Sequence, residues 1–176
     1  MGARTLVTFE QFEHYPDDGM KHELIQGEHI VVPPAKSHHT RIQQKLQDAI
    51  RPFVLAHRLG EVHIEAGFKL SSDTWLQPDV SFLRPPQIEA SYPNRYFEGA
   101  PAIAIEVLSE SNTPAKIAKK TKLYLERGSE EVWVVDPSQR EVRIQRPDGA
   151  SRTVAGELQS DVLPGWSFDV ASLFQN

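Results

Sequence analysis

The chain has 176 residues, of which 39% are hydrophobic and 24% charged, with no cysteine and a formal net charge of −5. This composition is ordinary for a globular protein of one domain. The absence of cysteine excludes disulfides, thiolate zinc sites and cysteine nucleophiles. A dedicated nucleic-acid-binding protein would usually be basic, but an acidic chain can still be an enzyme that gathers carboxylates around a metal.

Several other classes of protein find no support in the sequence. No apolar run approaches the roughly 20 residues of a membrane helix, and MGARTLVTFEQ lacks the hydrophobic core of a signal peptide. We therefore expect a cytoplasmic protein without membrane contact. The chain also lacks a Gly-x-Ser-x-Gly elbow, a P-loop and a dinucleotide fingerprint. Ser-His-Asp catalysis and these modes of nucleotide binding are therefore unsupported.

The first half of the chain predicts a short helix, a hairpin, a long helix and three strands. Thr8 is placed to cap the short helix, and Gln26-Gly27 forms a tight turn between two strands. Ser37 is predicted to cap the long helix, whose apolar residues recur at helical spacing over residues 42–57. Extended segments are predicted over residues 61–66, 68–70 and 78–83.

The second half predicts two buried strands separated by a helix. A proline-rich aromatic segment over residues 85–101 is predicted to be a loop. AIAIEVLS and EVWVVDP are typical of strands buried on both faces, and Pro114 is expected to open a helix that ends at Gly128. We therefore predict a single α/β domain over residues 1–176, in which a mixed central sheet is flanked by helices.

Two carboxylates stand on neighbouring predicted strands. Asp79 begins one strand, and Glu106 lies between Ile105 and Val107 in a very apolar one. A buried carboxylate is costly unless it is paired or bound to a metal, so a structural salt bridge explains either residue alone. Together they predict a site for Mg²⁺ (or Mn²⁺), since Mg²⁺ takes oxygen ligands and keeps waters for a substrate phosphate.

Pro78-Asp79, followed by Glu106-Val107-Leu108, resembles the PD-(D/E)XK nuclease signature, with Leu108 where lysine is expected. Further motifs narrow the resemblance; these are HELIQGEHIVV, Ser37-His38-His39, QPDVSFL, EVLSESN, Lys120-x-x-x-Tyr124 and EVWVVDP. From about residue 8 to the C-terminus, the chain is similar to the Uma-two endonuclease family. The resemblance implies a restriction-endonuclease-like fold and metal-dependent hydrolysis of DNA.

The resemblance also implies that a lysine of the following helix replaces the one missing from the core strand. At about 100° per residue, Lys120 projects inside the apolar arc of that helix, whereas Lys119 and Lys122 point outward. Lys120 could then contact Glu106 or a substrate phosphate, or snorkel from the edge of the arc. Family members often carry aspartate one turn earlier, where this chain has Lys116. Because Lys116 lies about one helical turn before Lys120 on nearly the same side, it is the rival candidate for the functional lysine.

Other residues are candidates for the same site. Glu23 matches a family glutamate before the first hairpin, which implies an outer metal ligand or a group that orients water; the alternative is an exposed strand residue. His39 begins the inner face of the long helix and could contact phosphate or cap the helix. Lys116 is a second candidate phosphate contact, and Glu65 could point at the same cluster.

Three functions remain open from the sequence. The first is a Mg²⁺- or Mn²⁺-dependent endodeoxyribonuclease with Asp79, Glu106, Lys120 and Glu23 as catalytic residues. Its partner would be DNA, and a homodimer is expected by analogy because two active sites cut two strands more easily. The second is a catalytically silent nuclease-like domain that binds nucleic acid or a partner protein. The third is a metal hydrolase with another substrate.

Overall fold

The computed structural model describes residues 6–91, 96–110 and 112–175, and its helices and strands form the mixed α/β fold predicted. The helices are α1 (Phe9–Phe12), α2 (Ser37–Ala56), α3 (Pro85–Ser91), α4 (Pro114–Glu126) and a C-terminal 3₁₀ helix (Val170–Phe174). The strands are β1 (Lys21–Ile25), β2 (Glu28–Val32), β3 (Glu61–Ile64), β4 (Phe68–Ser71), β5 (Thr74–Leu76), β6 (Val80–Leu83), β7 (Phe97–Glu98), β8 (Ile103–Val107), β9 (Glu131–Asp136), β10 (Glu141–Gln145), β11 (Ser151–Val154), β12 (Glu157–Gln159) and β13 (Ser167–Asp169).

The core lies around a six-stranded sheet with the order β11-β10-β9-β8-β6-β3. Every residue of β8 is buried, and β9 is buried over its first five residues. These two strands are parallel and are connected through α4, as a parallel pair requires a crossover. The continuous apolar character of β8 and β9 therefore reflects burial on both faces, as predicted.

A second sheet, of five strands in the order β2-β1-β5-β4-β7, packs beside the first and carries the N-terminal hairpin. Gln26 and Gly27 at the hairpin turn have φ angles of 51° and 79°. A two-residue hairpin turn of type I′ requires a positive φ at both of its central residues. Thr8 caps α1 through a capping box with Gln11, which confirms the predicted short helix. Phe9 and Phe12 of that helix are buried.

Two of the predictions about secondary structure are wrong, one on the cap of a helix and one on a predicted loop. Lys36, in an extended conformation and without a side-chain capping hydrogen bond, is the N-cap of α2, so Ser37 is the first helical residue rather than the cap. The segment 85–101 is not a loop throughout, because it contains α3 and β7. Proline is tolerated in the first turn of a helix, where its missing N–H would have no partner, so Pro85 can begin α3. Residues 92–95 of this segment lie outside the described residues.

The C-terminal segment closes the core against α2. Trp166 stacks on Trp133 with 5.6 Å between ring centroids, and its indole N–H donates a 3.0 Å hydrogen bond to the carbonyl of Ala49. Lys45 of α2 donates a hydrogen bond of 3.0 Å to the carbonyl of Ser172. Within the described ranges, none of the helices has the length and apolar character needed to cross a membrane.

Candidate metal and catalytic site

One cleft of about 1090 Å³ collects every residue that the sequence analysis named as a site candidate. The candidates in its lining are Glu23 from β1, His39 from the first turn of α2, Asp79 directly before β6, Glu106 from β8, and Lys116 and Lys120 from α4. Both sheets and two helices therefore contribute to the same cleft.

Asp79 and Glu106 lie beside each other on one face of the six-stranded sheet. Strands β6 and β8 are antiparallel with Val80 opposite Ile105, so the next position along each strand sets Asp79 opposite Glu106. Side chains of directly opposed residues project from the same face of a sheet. The backbone N–H of Val107 also donates a 2.7 Å hydrogen bond to Asp79 Oδ2. The two carboxylates that the sequence singles out therefore meet in one place.

Asp79 is 5% exposed, and three side chains surround its Oδ1 atom. Gln43 Nε2 donates a 3.1 Å hydrogen bond, His39 Nε2 lies 3.1 Å away and Lys21 Nζ lies 3.6 Å away. Burial would raise the pKa of Asp79, but the hydrogen bond from His39 and the charges of Lys21 and His39 outweigh it and lower the pKa from 3.8 to about 2. Asp79 is therefore ionised at neutral pH.

The ammonium group of Lys120 is buried between two glutamates. Lys120 is 3% exposed, and its Nζ lies 2.8 Å from Glu23 Oε1 and 2.7 Å from Glu106 Oε1. Burial would lower the pKa of Lys120, but the charges of Glu106 and Glu23 outweigh it and raise the pKa above its ordinary value. The expected contact between Lys120 and Glu106 is present, and Glu23 is a buried partner rather than an exposed strand residue.

Among the residues that the structure describes, the hydrogen-bond partners of Glu106 all contact its Oε1 atom. The Tyr124 hydroxyl donates a 2.8 Å hydrogen bond to Oε1, the same atom that Lys120 approaches. Burial raises the pKa of Glu106 despite the attraction of Lys120, and the charges of Asp79 and Glu23 raise it further. Burial also raises the pKa of Tyr124 well above its usual value, so its hydroxyl remains a donor.

His39 and Lys116 occupy the walls of the cleft in different ways. His39 Nε2 is directed at Asp79, and its Nδ1 is a buried nitrogen that finds no hydrogen-bond partner among the described residues. The ring therefore holds Asp79 instead of capping α2. Lys116 is partly buried at the start of α4, where its backbone N–H donates to Thr113 Oγ1. Of the two candidate lysines, Lys120 is the one in contact with the acidic residues.

Sequence reasoning missed three contributors to the site. Lys21 lies two residues before Glu23 on β1, so period-two alternation sets both on one strand face. Gln43 follows His39 by four residues, which places them on one face of α2. Tyr124 enters the sequence analysis only as the last residue of the Lys120-x-x-x-Tyr124 motif, but its hydroxyl donates a hydrogen bond to Glu106. Spacing along the sequence could therefore have placed Lys21 on the same face as Glu23 and Gln43 on the same face as His39. Nothing in the sequence reveals that Lys21 and Gln43 contact Asp79.

The oxygen-rich donor set fits a hard divalent cation. The carboxylates of Glu23, Asp79 and Glu106 outnumber the ammonium groups of Lys21 and Lys120 among the residues that line the cleft around Asp79 and Glu106. No group of three or more His, Cys, Asp and Glu side chains within the described ranges is arranged as a metal cage. Mg²⁺ commonly takes only one or two carboxylates and completes its shell with water and substrate phosphate, so a pair is sufficient.

Comparisons with known proteins identify the fold and the family of this chain. The crystal structure of "a putative nuclease belonging to DUF820 from Anabaena variabilis" has a TM-score of 0.86 and 23% identity over 96% of this chain and 97% of that chain, which shows a shared fold. No curated protein matches the chain. The family model Uma2, described as "Putative restriction endonuclease", matches residues 9–171. The chain therefore belongs to the Uma2 family, as its motifs indicated.

Proposed function

We propose that this protein is a divalent-cation-dependent endonuclease that hydrolyses DNA phosphodiester bonds. The observation that carries the proposal is the buried Lys120 ammonium, within 2.8 Å of Glu23 and 2.7 Å of Glu106, in the cleft that Asp79 shares. A buried charge cluster is weak support for stability, because well-packed apolar residues often stabilise a fold as much or more. A cluster that opens onto a large cleft is better explained by catalysis, and the family description names the same activity.

Asp79 and Glu106 are the residues that would hold Mg²⁺ or Mn²⁺. A bound cation of this kind polarises a phosphoryl oxygen and lowers the pKa of a coordinated water. Asp79 suits the role because its pKa is held at about 2, so its carboxylate is ionised at neutral pH. Glu106 suits it because Tyr124 and Lys120 both contact Oε1, which leaves the second carboxylate oxygen available to a cation.

Lys120 would act on the phosphate rather than on the cation. Its raised pKa keeps it protonated, so it cannot serve as a general base, but it can donate hydrogen bonds to a phosphate oxygen or to the attacking water. The contact with Glu23 holds the Lys120 ammonium group in place beside Glu106 and thereby orients that group. His39 and Lys116 line the same cleft, where they would contact the phosphates that flank the scissile bond.

A plasmid assay tests this function. Purified wild-type protein should convert supercoiled DNA to nicked or linear forms with Mg²⁺ or Mn²⁺ and should be inactive in EDTA. Glu106→Gln keeps the shape of the side chain but removes a charged ligand, and we expect it to lose cleavage. DNA binding without cleavage under all metal conditions would overturn the proposal in favour of a catalytically silent domain. Parallel reactions with RNA show whether DNA or RNA is the substrate. A linear product that forms without a nicked intermediate would support a homodimer.

A further inference from the structure

Gln43 of α2 is a buried amide for which the proposed chemistry has no direct use. It is 2% exposed, and its Nε2 donates hydrogen bonds of 3.1 Å to Asp79 Oδ1 and 3.2 Å to Glu65 Oε1. An amide nitrogen carries two hydrogens, so both are engaged by carboxylates. With an acceptor on each side, the nitrogen rather than the oxygen of the amide must face Asp79.

Glu65 is held beside Asp79 by its backbone as well as by its side chain. It is a non-glycine residue with φ of 52°, in the left-handed region that such residues seldom adopt. Its backbone N–H donates a 3.3 Å hydrogen bond to the carbonyl of Asp79. Backbone strain of this kind persists where the surroundings impose it, and it often accompanies ligand sites. Glu65, Gln43 and Asp79 therefore form one connected unit at the cleft.

We propose that Gln43 is a positioning residue for Asp79, and that Glu65 locks the Gln43 amide in the orientation this requires. The inference rests on the proposed function, in which Asp79 is a cation ligand. A neutral donor suits the role, because it fixes the carboxylate without adding a positive charge that would repel a divalent cation. His39 and Lys21 also contact Asp79, but each can carry such a charge.

Manganese binding to the full chain, measured by electron paramagnetic resonance, tests the inference with a readout other than activity. Gln43→Met preserves side-chain length and removes both donors, so we expect Mn²⁺ affinity to fall roughly 10- to 100-fold, the usual effect of losing an outer-sphere partner. Glu65→Ala frees the amide to rotate and should cause a smaller loss. Glu65→Gln retains an oxygen acceptor and should stay close to wild type. Gln44→Met is the matched control, since Gln44 is the exposed neighbour on the same helix.

Wild-type Mn²⁺ affinity in a folded Gln43→Met variant would overturn the positioning role while leaving the proposed function intact. If the Met variant does not fold, Glu65→Ala carries the same test, because it alters an exposed side chain. If wild-type protein neither binds Mn²⁺ nor cleaves DNA, the proposed function fails, and a crystal structure of metal-free Gln43→Met decides the positioning role separately. An Asp79 carboxylate turned away from the Val107 N–H supports that role, and an unmoved carboxylate overturns it.

Discussion

At the scale of single residues, the central feature of the cleft is a buried lysine that contacts two carboxylates. Lys120 contacts Glu23 and Glu106, and both acids are almost fully buried. Removing one member of a buried charge network is costly, because it leaves uncompensated charge in a low-dielectric interior. Lys120 therefore contributes to stability in addition to any role in catalysis, and the two effects have to be measured separately.

Replacement of Lys120 by alanine should abolish cleavage and lower the free energy of unfolding by about 3–5 kcal/mol. Lys119→Ala and Lys122→Ala are matched controls on the exposed face of the same helix, and they should change only salt-sensitive DNA binding. Plasmid cleavage below the melting temperature, together with urea unfolding, separates the two effects. Loss of cleavage in Lys116→Ala with retention in Lys120→Ala would identify Lys116 as the functional lysine instead.

The low pKa of Asp79 predicts how stability depends on pH. Because the folded pKa of about 2 lies below the ordinary value of 3.8, the ionised form stabilises the fold above about pH 4, and this contribution is lost as the pH falls toward 2. The difference between these two pKa values corresponds to about 2 kcal/mol in the free energy of unfolding. Asp79→Asn removes the effect, so the stability gap between wild type and variant should narrow between pH 5 and pH 2 in urea titrations. A constant gap would mean that the contacts of Asp79 do not favour its ionised form.

The structure bears out the predicted burial of Glu106 and the predicted contact between Lys120 and Glu106, whereas their roles in catalysis stay predictions. The family resemblance pointed to a lysine of the helix after β8, helical phase selected Lys120, and the apolar run around Glu106 indicated that this glutamate is buried. The contacts of Lys21 and Gln43 with Asp79 were not predictable, because they cross between elements that only the folded chain brings together. Spacing along the sequence says which face a side chain occupies but not which residue lies opposite that face.

At the scale of elements, α4 positions Lys120 and supplies the connection between the parallel strands β8 and β9. Thr113 is its N-cap, with Oγ1 accepting a 3.2 Å hydrogen bond from the Lys116 N–H, and Pro114 occupies the first turn. The sequence predicted that Pro114 opens this helix, whereas the capping role of Thr113 is seen only in the structure. The start of α4 also lies at the cleft, so order in its first turn affects the site directly.

Replacement of Thr113 by alanine should destabilise the protein by about 1 kcal/mol, the usual effect of losing an N-cap hydrogen bond. Amide hydrogen exchange should accelerate first in the N-terminal turn of α4. Thr113→Ser retains the hydroxyl and should restore most of the protection. Equal protection in the alanine and serine variants would show that the cap hydrogen bond does not hold this turn.

Long elements with strong periodicity were predicted well, whereas the two shortest strands of the five-stranded sheet, β5 and β7, were not. The long helix α2 and the buried strands β8 and β9 carry their patterns over many residues. Strand β5 has three residues, and β7 has two, so each is defined by its partner strand rather than by its own sequence. The fold was therefore predictable at the level of its core but not at its periphery.

At the scale of the whole molecule, the candidate site forms only when the two sheets pack together. Lys21 and Glu23 belong to the five-stranded sheet, whereas Glu106 belongs to the six-stranded sheet and Asp79 directly precedes its strand β6. Two ion pairs, from Lys21 to Asp79 and from Lys120 to Glu23, connect the five-stranded sheet to the part of the fold that carries Asp79 and α4. The chain carries a net charge of −5, and three of its carboxylates, those of Glu23, Asp79 and Glu106, line this one cleft.

The central claim is that Asp79 and Glu106 together hold a divalent cation, and anomalous diffraction from crystals soaked in Mn²⁺ tests it most directly. We predict one strong anomalous peak between the two carboxylates, with oxygen atoms of both residues within bonding distance. The peak should disappear in crystals of the Asp79→Asn variant grown and soaked in the same way. A peak elsewhere in the cleft, or none at a Mn²⁺ concentration that supports DNA cleavage, would contradict the account.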